Sequence, residues 1–503
     1  MKMNMRLSAI GLGILVLTAG LGGCGGGGGE DKTSVASQIV VNTPASITQV
    51  SADDYEDNVN GLITAATLKR WKDDWPTERA KLGLTGKLII LQATAGQVAG
   101  SEYVKPNGTN VFTYLSPSSE WIQTRSNGVI ETQSMVPDGA TMDALLKKFN
   151  IDPRKDMIVA AMGQGSTGNA MAQGRIWYAL RYWGVDKKNL AVLNGGNQWI
   201  NGNGMAAGDF QATASAAPNN GTISVKSLMV DNTQLQATVQ DMMAVLPGSD
   251  TNNTGDGVFI WDARSMAQYA AGEMVENGED TDTDTVGNQA CATAFCVPTN
   301  PTNYRQFFQN DGSRQGHPRG TLQLQYTHML DGAKGFAYRP KAELEAMLNG
   351  GTNALGIGFV DGSYNLVGTG NAYQPGDTIY VYCETTFRAM ITGIASTVIL
   401  GKPVRFYDGA MVEWNSLSHL RDRNGDFILP ANSPWRTDVV SFYRAAEDAV
   451  PLPANGVAPR TITNAYAPHT NAIINADKAY KTGASVGGGG GGGGGAPANP
   501  CGG

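Results

Sequence analysis

The sequence predicts an α/β protein made of two copies of one domain, each a parallel sheet flanked by helices. Three observations predict it. Short apolar runs of strand length alternate with helix-like segments, the pattern of a sheet covered on both faces. A unit of loop, helix, glycine, strand, Asx-Gly turn and tryptophan occurs twice. The length of 503 residues corresponds to about two or three domains.

The elements follow in order. Lys2 and Arg6 form a basic region before an apolar stretch, Leu7 to Leu21, too short for a comfortable membrane span. The stretch ends in Leu21-Gly22-Gly23-Cys24, which resembles a bacterial lipobox. That resemblance implies cleavage before Cys24, lipidation of Cys24, and anchoring in the cell envelope. The run Gly25–Gly29 resembles a tether, and glycine rather than aspartate at 25 resembles outer-membrane sorting. Two or more acyl chains hold a protein stably where one does not. An ordinary signal peptide with a chance cysteine is the plainer alternative.

In the first domain, Thr64 to Trp71 starts an amphipathic helix. Lys87 to Leu91 and Met157 to Met162 are apolar runs suited to buried parallel strands. The loop Gly163 to Gly168 leads into a helix through Arg175 to Trp183, stopped by Gly184. Ala191-Val192-Leu193 is a strand closed by Asn194-Gly195-Gly196, with Trp199 beyond. In the second domain, Gly257 to Asp262 and Thr378 to Cys383 are strands, and the latter runs through a short loop into the helix Arg388 to Leu400. Val404 to Tyr407 is a further strand, followed by Asp408-Gly409 and Trp414.

These elements divide the chain into a leader (1–24), a tether (25–55), a first domain (56–210), a connector (211–255) and a second domain (256–436) with an insertion at 273–315. A C-terminal extension, 437–503, ends in a glycine-rich tail expected to be disordered. The net charge of −7 comes without a basic block, which argues against a nucleic-acid partner.

Five cysteines are present: Cys24, Cys291, Cys296, Cys383 and Cys501. Cys291 and Cys296 lie close together in the polar insertion and are expected to form a local disulfide outside the cytosol. A metal site is the rival, but none of the four histidines falls in that insertion. The acidic run Glu279 to Asp284 reads as a solvated loop, with calcium as the alternative. No cofactor is implied. Cys501 is either incidental or a mobile thiol, since its tail reaches roughly 20–25 Å.

Cys383 stands at the carboxyl end of a strand, with a helix following at once. Ligands of open α/β sheets bind at such strand ends. Loop amides, first-turn N–H groups and the helix dipole stabilise negative charge there. A thiolate so placed can accept a sulfane sulfur and hold it as a persulfide. The plainer reading is a core cysteine. Against it stand the polar residues that follow, Glu384-Thr385-Thr386.

Residues 60–420 resemble the rhodanese (thiosulfate sulfurtransferase) family in its tandem-domain form. The resemblance rests on Trp261-Asp262-Ala263-Arg264 with Tyr269 and Gly272, and on Gly316-His317-Pro318-Arg319-Gly320. It rests also on Tyr382-Cys383 with its loop and on Tyr407-Asp408-Gly409 through Glu413-Trp414. In the first half, Phe149-Asn150-Ile151, Arg175 to Gly184 and Leu193 to Gly196 are similar to the family's non-catalytic domain. The resemblance implies two rhodanese-type domains and a catalytic Cys383. Its loop, Cys383 to Arg388, has the six residues of sulfurtransferases rather than the seven of related phosphatases. The matching loop of the first domain, Gly163 to Asn169, has no cysteine, which implies a structural domain.

Substrate-binding residues implied by the resemblance are Glu384, Thr385, Thr386, Phe387, Arg388, Arg264 and Gln268. Three departures bear on the donor. Glu384 and Thr385 stand where thiosulfate-using members carry basic residues, Thr386 replaces a glycine, and Gln268 replaces an arginine. Arg264 is expected to pair with Asp262. A dianion needs compensating positive charge when desolvated, so a polysulfide or protein persulfide suits this loop better than thiosulfate. The expected partners are a small sulfur donor, a thiophilic acceptor, the membrane through the lipid anchor, and an envelope protein met by the Cys501 tail. The alternative is a rhodanese-like accessory or binding subunit of an envelope complex.

Overall fold

The computed structural model describes residues 39–127, 131–269, 316–417 and 471–483, together with a two-stranded pair, Val275–Glu276 with Phe295–Cys296. In the first domain, five strands form one sheet: β1 (Gly61–Ile63), β2 (Leu88–Gln92), β3 (Val111–Leu115), β4 (Met157–Ala161) and β5 (Leu190–Leu193). Their order is β1-β5-β4-β2-β3, and every pairing is parallel. All residues of β2, β4 and β5 are buried, as helices on both faces require.

The second sheet comprises β6 (Gln236–Ala237), β7 (Val258–Asp262), β8 (Leu322–Gln323), β9 (Thr378–Tyr382) and β10 (Val404–Tyr407). Its order, β6-β10-β9-β7-β8, repeats the first, again all parallel. The duplication read from the sequence is therefore present strand by strand. These are two α/β domains, each a parallel sheet flanked by helices, as the sequence predicts. The fourth strand of each domain, β4 or β9, lies at the centre. From β9 the chain runs on to β10 on one side. From β7, its neighbour, it runs to β8 on the other. That divergence is the switch point at which open α/β sheets bind ligands.

Six helices matter for the site: α1 (Ala65–Asp73), α2 (Gly139–Phe149), α3 (Thr167–Tyr182), α4 (Phe387–Ile394), α5 (Ala410–Leu417) and α6 (Ala472–Thr482). Thr64 caps α1 by accepting from the Thr67 amide. Asn150 ends α2 in the left-handed conformation. Every residue of α3 from Ala170 to Tyr182 is buried, because it is wedged between the two domains. α3 packs directly on α4. A Cβ added at Gly174 would lie 2.5 Å from Cβ of Met390, so only glycine permits this approach. Trp177 and Tyr178 of α3 pack on Phe406 of β10, with ring centroids 6.4 and 4.9 Å apart. One apolar core thus runs through both domains.

Three boundaries differ from the sequence reading. The tether assigned to 25–55 includes folded residues: Val40–Val41 pairs with Val230–Asp231, and Ile47 is buried. The connector assigned to 211–255 contains β6, an edge strand of the second sheet. A two-residue strand carries too little periodicity to be read. The extension assigned to 437–503 contains α6, which docks on the first domain. Arg125 makes a bidentate pair with the buried Asp477, and Lys481 donates to the Trp183 carbonyl. Among the described residues, no helix is long and apolar enough to cross a membrane.

Candidate active site

The site begins with β9, whose residues Ile379 to Tyr382 are buried between helical layers. Cys383 follows the strand and is fully buried. Its carbonyl accepts from the Met411 amide (3.1 Å), and the Glu384 carbonyl accepts from the Val412 amide (3.2 Å). The loop therefore lies on the start of α5. Thr386 turns the chain into α4 with a left-handed φ of 64°. Its hydroxyl donates to the carbonyls of Tyr407 (2.8 Å) and Asp408 (3.1 Å). Thr386 occupies the N-cap position of α4, but its side chain does not cap the helix. The first-turn N–H groups of a helix point beyond its end and attract negative charge. Here the loop that carries Cys383 leads directly into that end.

The switch-point neighbour β7 supplies Asp262 and, just beyond it, Arg264. Both are buried. Arg264 donates through Nε and Nη2 to the Asp262 carboxylate (3.0 and 2.6 Å), and its Nη1 lies 3.4 Å from Glu384. Nη2 also donates to the Gly316 carbonyl. Burial opposes the charge on Arg264, but the Asp262 carboxylate outweighs it and raises the pKa. The Tyr382 phenol, pushed well up by burial and then by Asp262, donates to that carboxylate at 3.1 Å. Gln268 accepts from Arg388 Nη1. The structure thus brings Arg264 to Glu384, and Gln268 to Arg388, around the loop that starts at Cys383.

His317, part of the turn quoted above, stacks on Tyr269 at 3.7 Å. Its ring nitrogens meet the Tyr269 carbonyl and Asp250. Burial works against the Asp250 carboxylate, but His317 and the Gly320 amide hold it below its ordinary pKa. Gly316 donates its N–H to the Gln268 carbonyl, which places Gly316 beside the site.

Four residues were not assigned to the site from the sequence. Arg175 of α3 donates to Asp408 at 2.6 Å, with both side chains fully buried. Asn127 of the first domain donates to Glu413 of α5. Burial and the Glu413 carboxylate push the neighbouring Tyr407 phenol well up. Arg175, Asp408 and Glu413 all fall within quoted motifs, but their meeting across the domains has no local signal.

Cys383 is the free cysteine among the described residues. Cys24, Cys291 and Cys501, and the side chain of Cys296, lie outside them, as does the run Glu279 to Asp284.

No family model and no curated protein sequence matches the chain. Solved structures do. Tum1 from Saccharomyces cerevisiae is 14% identical, with a TM-score of 0.39, over 71% of this chain and 95% of that one. SseA from Escherichia coli, described as a rhodanese-fold 3-mercaptopyruvate sulfotransferase, is 15% identical, with a TM-score of 0.41, over 70% and 98%. The anaerobic ergothioneine biosynthesis enzyme from Chlorobium limicola is 12% identical, with a TM-score of 0.41, over 73% and 70%. What this chain is similar to is a set of two-thirds-length or longer overlaps at low identity, and the strand order above describes its fold independently of them.

Proposed function

We propose that the chain is a sulfurtransferase of the cell envelope that carries sulfane sulfur as a persulfide on Cys383. The observation that carries this reading is the place of Cys383. It directly follows the central strand at the switch point and opens the loop that leads into the N-terminus of α4. The Cys383 thiolate attacks the outer sulfur of a donor. A new S–S bond forms, the donor's S–S bond breaks, and the donor leaves with the electron pair as a thiolate, or as sulfite from thiosulfate. A thiophilic acceptor then takes the outer sulfur, and the electron pair of the Cys383 S–S bond returns to the thiolate. The α4 amides would hold the negative terminal sulfur in between.

The surroundings favour one donor class. Two buried carboxylates, Asp262 and Glu384, share the Arg264 guanidinium, and Arg388 already donates to Gln268. A thiosulfate dianion would add two charges to this group. A polysulfide or a protein persulfide adds fewer.

The test is intact mass after incubation with polysulfide, a small persulfide or thiosulfate. Wild-type protein is expected to gain the mass of one sulfur atom, fastest from polysulfide, and Cys383→Ser to gain none. No gain from any donor, or an equal gain in Cys383→Ser, would move the assignment to the accessory reading. One observation favours that second reading: Cys383, Glu384, Thr385 and Thr386 are each no more than 1% exposed, so a donor must enter through an opening of the loop.

The envelope location rests on Leu21-Gly22-Gly23-Cys24. Cys24→Ala should shift the protein from the membrane fraction to the soluble one. An unchanged distribution would remove the anchor from the proposal.

A further inference from the structure

We infer that the first domain supplies a positioning residue for the sulfur-carrying loop, Arg175. The inference rests on the reading of Cys383 given above. Arg175 projects from α3 of the first domain. Its Nη1 donates to Asp408 Oδ1 (2.6 Å) and its Nη2 to the Ser134 carbonyl (2.7 Å). Its guanidinium also lies 5.7 Å from the ring centroid of Phe387, the first residue of α4. The other carboxylate oxygen of Asp408 accepts from the Val136 amide (2.6 Å) and from Gln236 (3.3 Å). Both domains therefore hold one buried carboxylate.

Asp408 is fixed where it controls the loop. The carbonyls of Tyr407 and Asp408 accept from the Thr386 hydroxyl. Those two bonds draw the hydroxyl away from the α4 amides, so Thr386 does not cap the helix. Farther along the same turn, Met411 and Val412 donate to the carbonyls of Cys383 and Glu384. The segment from Tyr407 to Val412 is the bed on which the loop rests, and Arg175 locks that bed to the first domain.

Backbone strain marks the same spot. Ser134, Thr386 and Ala410 are non-glycine residues with left-handed φ angles of 62°, 64° and 53°. Each such residue costs free energy and persists only where its surroundings over-determine it. Ser134 is held by Arg175 through its carbonyl, Thr386 by the carbonyls of Tyr407 and Asp408, and Ala410 lies two residues past Asp408. A buried ion pair is in itself no more stabilising than apolar packing of equal volume. What a planar guanidinium adds is direction, here with one Nη on Asp408 and the other on the Ser134 carbonyl. Here that direction runs from the first domain to the residues around Cys383.

The experiment uses the full chain and two rates. One is sulfur loading of Cys383 at saturating polysulfide, followed by intact mass. The other is alkylation of Cys383 by iodoacetamide, which needs no sulfur chemistry. The variant is Arg175→Met combined with Asp408→Asn, which removes the charges and keeps an acceptor for the Val136 amide. Leu146→Ala, a core truncation in α2 that touches neither loop nor turn, is the stability control. In the double variant, loading is expected to fall about 100-fold, with the half-saturating donor concentration little changed. Alkylation is expected to rise about tenfold as the buried thiol becomes accessible. The control is expected to lower the melting temperature and move neither rate. Unchanged rates in a folded double variant would overturn the inference, as would a control that moves both rates in the same way. If the wild-type protein takes up no sulfur, the sulfurtransferase reading falls, and the alkylation comparison still decides the role of Arg175.

Discussion

The two domains share a strand order but fill the end of the central strand differently. Gly163 and Cys383 each stand four residues before the first residue of the following helix. In the first domain, the loop is closed on itself. Ser166 caps α3 by accepting from the Asn169 amide. Gln198 accepts from the Gly165 amide and donates to the Gly165 carbonyl, and Thr94 accepts from the Gln164 amide. Asn169 donates to the Gln164 carbonyl. The donors that would receive an anion are used by side chains of the domain itself. In the second domain, the residue at the cap position turns its hydroxyl the other way, to the carbonyls of Tyr407 and Asp408. One fold thus yields two buried strand ends that differ in where the hydroxyl at the cap position points.

The largest expected effect comes from forcing the first loop to resemble the second. Gly163 has a φ of +76°, and an added Cβ would overlap the Thr94 carbonyl oxygen. A cysteine therefore has no place there. Gly163→Cys should cost at least about 3 kcal/mol from the left-handed backbone and the clash together. For a single cooperative unit of this size, that corresponds to a fall in melting temperature of roughly 3–4 °C. The variant should still load a single sulfur, on Cys383. A second sulfur on residue 163 at unchanged melting temperature would show that the first domain is inactive only for want of a thiol.

The same contrast separates what was legible in the sequence from what was not. The apolar runs that became β2, β4, β5, β9 and β10 are each four or five residues long and read clearly as buried strands. The lack of a cysteine at Gly163 was equally plain. Asp262 and Arg264 are two residues apart, so their pairing could be expected from proximity alone. The pair of Arg175 with Asp408 spans 233 residues of sequence and has no local signature. The short edge strands β1 and β6, of three and two residues, take their stability from neighbours distant in sequence. α6 was hidden by the polar, glycine-rich stretch around it, because Asp477 gains its role only against Arg125 and Tyr182 of the first domain.

An intermediate effect is expected at the joint between the domains. Gly174 lets α3 approach α4 until Met390 touches its backbone. Gly174→Ala should push the helices apart and destabilise the protein by about 1–3 kcal/mol, the usual cost of overpacking. Because one core spans both domains, chemical unfolding should remain a single transition at a lower midpoint. Two separated transitions would show that the strand end at Cys383 does not depend on the first domain for its support.

The smallest effect is the most direct test of the two caps. Ser166→Ala removes the side-chain acceptor from the N-terminus of α3 and should cost about 1 kcal/mol, the ordinary value of a lost N-cap. Sulfur loading on Cys383 should not change, since no bond from Ser166 reaches the second domain. Thr386→Ala also removes a hydroxyl from an N-cap position, but that hydroxyl caps nothing. It ties the loop to the carbonyls of Tyr407 and Asp408. Its loss should leave α4 as stable as before at its N-terminus, yet slow sulfur loading as the loop loosens. Melting temperature and loading rate, measured on both variants, should therefore move in opposite columns: stability alone for Ser166→Ala, and loading above all for Thr386→Ala. Equal responses would mean that the two hydroxyls do the same work, and that the difference between the two strand ends has some other cause.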